Sequence, residues 1–285
     1  MKKTGITTDC VCDLPEEYLR ALDVGTIYFY ITTDTGRFRD GYVITSGNLL
    51  EYLAEGRPIA LTNAPEPEEY KAFFEDRLSH CDELVHITIS QHVSVSYQNA
   101  TRALELMGEN AKRVTVIDSQ NLSTGIAHMV IRAAKLRDEG RSAAGIARAV
   151  EAMREKVSTS FITENAEYLY RNGRVSKGVA QLIRLLRVHP VLAMKNGRLV
   201  VKTVRLGNYE NSVMRYIRGE LRLGGRIDKT RLFITHAGCT VKRAAEIRAE
   251  AERQCAFDEV IVTKASATVS GNCGPGTVGI IFVNR

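Results

Sequence analysis

Three groups of residues in this chain have types and spacings that could do chemistry. The first is VSGNCGPGTVGIIF (269–282), where the three glycines and the proline of GNCGPG crowd against the start of an apolar run. The second is a recurrence of hydroxyls just after apolar runs: Thr62 in LTNAPEPEEY, Ser94 or Ser96 in SQHVSVSYQNA, and Ser119 after VTVID. The third comprises the carboxyls Asp9, Asp13 and Asp118 and the thiols of the C-V-C pair, Cys10 and Cys12. Each has a plain reading beside the chemical one, since hydroxyls are ordinary helix caps and glycines ordinary turn residues.

Hydrolysis finds no support. There is no G-x-S-x-G elbow, and none of the six histidines falls in a recognisable Ser/His/Asp arrangement. Nucleotide chemistry fares no better, because G-x-x-x-x-G-K-[ST] is missing, GNCGPG does not read as a strand-to-helix turn, and Pro275 removes a backbone donor. C-V-C is spaced too closely for a usual zinc pair and has no second pair to complete it, so no metal is expected. Hydroxyls and backbone amides without an activated nucleophile suit the binding of an anion, and carboxylate is the simplest candidate.

The elements that must position these groups can be read from periodicity. GITT (5–8), VGTIYFYITT (24–33), IAL (59–61), ELVHITIS (83–90) and RVTVIDS (113–119) read as strands. Segments 15–22, 46–54, 67–78, 95–107, 123–140 and 143–157 read as helices between them, the alternation of a parallel sheet covered by helices. Such sheets bind ligands beyond the carboxyl ends of their strands, where the hydroxyls fall. From residue 158 the texture changes: a strand at 158–163, a hairpin over 189–205 turning at Asn196-Gly197, helices at 209–222 and 241–254, and strands at 231–237, 259–265 and 277–283. The expected fold class is α/β, with an N-terminal domain over 1–157 and a mixed-sheet domain over 158–285 that carries the Gly-Pro-Gly loop.

With 285 residues, 44% of them hydrophobic, the chain can bury a large core. No run approaches a membrane span, and the basic start lacks an apolar signal core, so a cytoplasmic protein with six reduced cysteines is expected. A net charge of +6 is mostly interleaved with acids. Only 171–187 is densely basic, without interleaved aromatics, so nucleic acid is not the expected partner.

Seven motifs, in order, give the chain a family resemblance. TDCVCDLP (8–15) resembles T-D-S-x-x-D-L-P, LTNAPEPEEY resembles T-S-Q-P-S with its helix, and ISQHVSVSYQNA (89–100) resembles I-S-x-x-L-S-G-T-Y-Q-S-A. VIDSQNLSTG (116–125), NGRVS (172–176), VHPVL (188–192) and NCGPG (272–276) resemble V-I-D-S-x-x-x-S-x-G, G-G-R-I-S, I-K-P-I-L and H-T-G-P-G. The sequence thus resembles the DegV family, bacterial fatty-acid-binding proteins that include the carrier subunit of fatty-acid kinase.

The resemblance implies a long-chain fatty acid such as hexadecanoate enclosed between the domains. It puts the carboxylate on Thr62 and Ser94, with Asn272 and Gly274 approaching from the second domain and Arg174 at the face that docks the kinase catalytic subunit. It implies a carrier rather than an enzyme, without metal or cofactor, in transient contact with the membrane surface. Asn272 stands where the family has histidine, which lowers headgroup affinity by about 1–2 kcal/mol, the gap between charged and neutral hydrogen bonds. Val95 replaces a glycine after Ser94 and narrows the pocket mouth, while Cys10, Asn63, Ala64 and Asn172 are further departures. The tail outweighs the head: some fourteen methylenes at roughly 0.8 kcal/mol each offer about 11 kcal/mol if buried. Helices 126–136 and 179–186 are the expected lining. Two rivals remain: an enzyme on a small carboxylate or phosphate, with Asp118 as base and Asp9 or Asp13 as second acid, and a nucleic-acid regulator using 171–187.

Overall fold

The computed structural model describes residues 3–58, 60–164, 166–186, 188–222 and 226–285, without the side chains of 182 and 184. In chain order the first part runs β1 (Thr4–Asp9), α1 (Glu16–Ala21), β2 (Val24–Ile27), β3 (Tyr30–Thr33), β4 (Gly36–Arg39), α2 (Ser46–Ala54), β5 (Leu61–Asn63), α3 (Pro67–Leu78), β6 (Glu83–Thr88), α4 (Ser96–Glu105), β7 (Val114–Asp118), α5 (Thr124–Asp138) and α6 (Ala143–Glu151). The rest runs β8 (Val157–Ile162), α7 (Glu167–Arg171), α8 (Lys177–Leu186), β9 (His189–Lys195), β10 (Arg198–Arg205), α9 (Tyr209–Leu221), β11 (Ile227–His236), α10 (Val241–Gln254), β12 (Glu259–Lys264), α11 (Ala267–Cys273) and β13 (Val278–Asn284).

Strands β1 (TGITTD) and β6 (ELVHIT) are buried along nearly their whole length, covered on both faces, the condition that favours parallel pairing. They form a sheet in the order β2-β1-β6-β7, every neighbouring pair parallel. One face packs on α3 and α4 through Tyr70, Phe74, Ala100 and Ala103; the other packs on α5 and α6. A six-stranded mixed sheet, β10-β9-β8-β13-β11-β12, is drawn entirely from 157–284. The mixed α/β architecture expected from the sequence is therefore the observed one.

Helix α5 lies between the two sheets. Ten of its fifteen residues are buried, because Phe233, Ile261 and Ile281 of the larger sheet meet the same core as β1, β6 and β7. That fit requires glycine at 125: a Cβ there would lie 2.2 Å from Asn121 Oδ1 and 2.4 Å from Thr159 Oγ1. His128, on the same helix, stacks edge-on against Phe233, and burial pulls its imidazole down to about 4, so it is neutral in the core.

The expected single strand over 24–33 is instead two strands in different sheets. The chain breaks at Tyr28-Phe29, where Phe29 N–H donates to Cys10 Sγ, and β3 then joins a small antiparallel sheet, β4-β3-β5. Thr62 therefore sits within an antiparallel strand paired with Ile31 rather than past the end of a parallel one. Of the expected strand 59–61, Ile59 lies outside the described residues. Helices α7 and α11 are too short to give a readable period and were not anticipated. The expected hairpin is β9–β10, with Asn196 and Gly197 at φ 49° and 73°. Its tip meets the first sheet's loops, where Ser90 Oγ donates to Gly197 O at 2.6 Å.

Candidate functional site

A slot opens where the loops after β5 and β6 face the inner surface of the larger sheet. It holds about 880 Å³ free of protein atoms, partly continuous with solvent. Its floor is apolar, formed by Phe29, Ile89, Phe161, Leu169, Leu199 and Ile281 among others, and Gly279 flattens it. Strands and short helices supply the walls. Helix α5 contributes no side chain from 126–136, because it is buried deeper between the sheets, and among the described residues α8 contributes none from 179–186. That corrects the expected lining.

Four of the five residues singled out from sequence meet at this slot: Thr62, Ser94, Asn272 and Arg174. Asn272 is the pivot, on the last turn of α11. Its Nδ2 donates to Thr62 Oγ1 at 3.2 Å and to Thr268 O at 2.8 Å, while its Oδ1 accepts from Arg174 Nε at 3.1 Å. Ser94 accepts from Ser96 N–H at 3.2 Å. In both hydroxyl residues a protein donor occupies the oxygen and, among the described residues, no acceptor claims the O–H, which remains available to a ligand. The hydroxyls deeper in the slot differ: Ser123 donates to Asp13, Thr159 to Asn121 Oδ1 and Thr277 to Cys273 O.

Arg174 was expected on a docking face, and the structure turns it inward. Asn172 holds α7 against α11 through Tyr168 O and Gly271 O, Gly173 turns at φ 70°, and Arg174 N–H closes on Leu169 O. The guanidinium is half-buried and lies within 4 Å of no carboxylate among the described residues; burial alone pulls it below the usual arginine range. No carboxylate lines the slot among the described residues. A desolvated cation without a counter-ion in an apolar recess is unfavourable until an anion reaches it.

Gly274 stands outside the lining. It ends α11 at φ 83°, ψ 166°, and a Cβ there would lie 2.5 Å from the Tyr168 ring, so its glycine is needed for the backbone and for α7 packing. Val95 adopts φ −79°, ψ 2° and is 58% exposed, so it points away and does not narrow the slot. The carboxyls proposed for catalysis are engaged elsewhere. Asp118 Oδ1 accepts from the N–H groups of Gln91 and Gln120, Asp9 is fully buried, and Asp13 holds Ser266 N–H and Ser123. Burial raises Asp13 to about 7, against the pull of those hydrogen bonds. Among the described residues no cluster could hold a metal, and no helix is long and apolar enough to cross a membrane.

Helix α11, which sequence reading missed, has its N-terminus held by two carboxyls from near the start of the first part. Asp40 accepts from Ala267 N–H at 3.0 Å and Thr268 N–H at 2.8 Å, while Asp13 accepts from Ser266 N–H at 2.8 Å. The signal available in the sequence was Ser266 before ATVSG, a cap residue ahead of a short run of small residues.

Two sheets sharing one buried helix, with an apolar slot between them whose lining includes an arginine and two undirected hydroxyls, define the class: a two-sheet α/β protein with an amphipathic slot. Comparison with known proteins gives the family. The family model described as "Uncharacterised protein, DegV family" matches residues 3–285, and the chain belongs to the DegV family. A DegV domain-containing protein of Deinococcus radiodurans is 28% identical over 282 residues, covering 97% of this chain and 96% of that one. One from Caldanaerobacter subterraneus subsp. tengcongensis is 27% identical over the whole of both chains. Among solved structures, a DegV family protein from Thermus thermophilus, described for its fatty-acid binding, superposes with TM-score 0.87 at 27% identity over all of both chains.

Proposed function

We propose that this chain holds a long-chain fatty acid in the slot, with its carboxylate at Arg174, Asn272, Thr62 and Ser94, and presents that carboxylate to a separate kinase for acyl-phosphate formation. The observation that carries the reading is the mouth itself: an uncompensated guanidinium and two free O–H donors above an apolar floor. Each feature answers a part of one molecule. The tail supplies most of the binding energy through burial, at roughly 0.8 kcal/mol per methylene, and the donors orient and neutralise the head. The fatty-acid binding described for the Thermus thermophilus relative supports the ligand class.

The reading treats 1–157 and 158–285 as two units with the ligand between them, and the chain as a carrier without catalytic residues, metal or cofactor. The kinase partner and a brief membrane contact for loading follow from the family resemblance. The test is native mass spectrometry of the purified chain followed by lipid extraction. A co-purifying mass of about 250–290 Da, matching a chain buried deeply enough to survive purification, is expected. Protein that purifies empty and takes up no added hexadecanoate refutes the reading.

A further inference from the structure

Asp9 closes the carboxyl end of β1, is 0% exposed, and is not itself one of the slot-lining residues. Its Oδ2 accepts from Ile89 N–H at 2.9 Å and from Ser96 O–H at 2.6 Å. Those donors stand at the two ends of one turn: Ile89 follows β6 and Ser96 opens α4. Ser94 lies between them, and its oxygen is held by the N–H of the same Ser96. One carboxylate oxygen therefore staples the turn shut and fixes the residue that aims Ser94.

The other oxygen reaches the second headgroup segment. Asp9 Oδ1 accepts from Tyr70 O–H at 2.8 Å, on α3, the helix that begins just after Thr62. Helix α4 reaches the same segment, since Asn99 Nδ2 donates to Pro65 O at 2.8 Å. His86 Nε2 stands 3.4 Å from Oδ1, buried and not hydrogen-bonded. A carboxylate so enclosed is retained against a large desolvation penalty, which its three donors offset.

We infer that Asp9 is the positioning residue of the headgroup site: through Ser96 it aims the Ser94 hydroxyl, and through Tyr70 and α3 it sets the distance from Ser94 to Thr62. It never meets the ligand. This rests on the reading of the slot as a carboxylate site. A residue acting this way governs discrimination between a carboxylate and a neutral head of the same length, and leaves tail binding alone.

The test measures binding of hexadecanoic acid and hexadecan-1-ol to the full chain and to Ser96→Ala and Asp9→Asn. Ser96→Ala keeps the backbone donor to Ser94 but removes the anchor on Asp9, so the acid-to-alcohol affinity ratio falls about five- to tenfold, with alcohol affinity unchanged. Asp9→Asn, which cannot accept from all three donors, lowers the ratio at least as far. An unchanged ratio in Ser96→Ala, or equal losses for both probes, overturns the inference, and Ser96→Ala decides it should Asp9→Asn not fold. Wild-type protein that binds neither probe refutes the fatty-acid reading itself, a separate result.

Discussion

Headgroup recognition turns on the few side chains whose hydrogen-bonding capacity the fold leaves unused. Arg174 gives Nε to Asn272, and its Nη groups meet no acceptor among the described residues. Replacing it with glutamine removes the one arginine or lysine that lines the slot among the described residues, and hexadecanoate affinity is expected to fall about ten- to a hundredfold, while hexadecan-1-ol affinity holds. Isothermal titration with the two probes measures it; parallel losses would show a role in slot shape instead. Asn272→His restores a group that can be charged. Hexadecanoate binding then strengthens about tenfold at pH 5.5, and the gain disappears above pH of about 6.5 as the imidazolium loses its proton. A titration across that range reads the change directly.

Short elements set what those side chains can reach. Gly274 closes α11 in a backbone region open only to glycine, beneath the Tyr168 ring. Gly274→Ala is expected to cost about 1–3 kcal/mol in urea-induced unfolding and to loosen α7 along with Arg174. An unperturbed midpoint would show that α7 yields without strain. Gly279 presents the opposite case. It lies in β13 without a left-handed backbone, and an added Cβ would press on Ile281 Cδ1 at 3.0 Å, the movable end of a side chain. Gly279→Val therefore folds, and it fills the slot floor. Hexadecanoate binding should weaken by more than dodecanoate binding; equal effects would mean that the tail follows another path.

At the scale of the molecule, two buried carboxyls from the first part grip the helix that bears Asn272, and their titration tunes stability. Asp13 holds its proton up to about 7 and Asp40 is also raised, each chiefly by burial. The unfolded chain releases the same protons near pH 4. The folded state therefore binds more protons between pH 4 and 7, and stability contributed by these groups declines as pH rises through that window. Asp13→Asn should flatten the decline in melting temperature measured across it; an unaltered slope would remove Asp13 as its source.

The sequence by itself determined the alternation of strands and helices, the mixed sheet after residue 158, the Asn-Gly hairpin and the family, because long periodic runs and turn dipeptides are local signals. It also supplied Thr62, Ser94 and Asn272 through motif resemblance. Only the tertiary structure decided that 24–33 splits between two sheets, that Arg174 turns into the slot while Gly274 stays out, and that strand faces rather than the long helices form its floor. Those outcomes depend on contacts between residues far apart in the chain, such as Asn172 with Gly271 and Asp40 with α11. A short helix or a buried carboxylate shows its role only once the fold has chosen its neighbours.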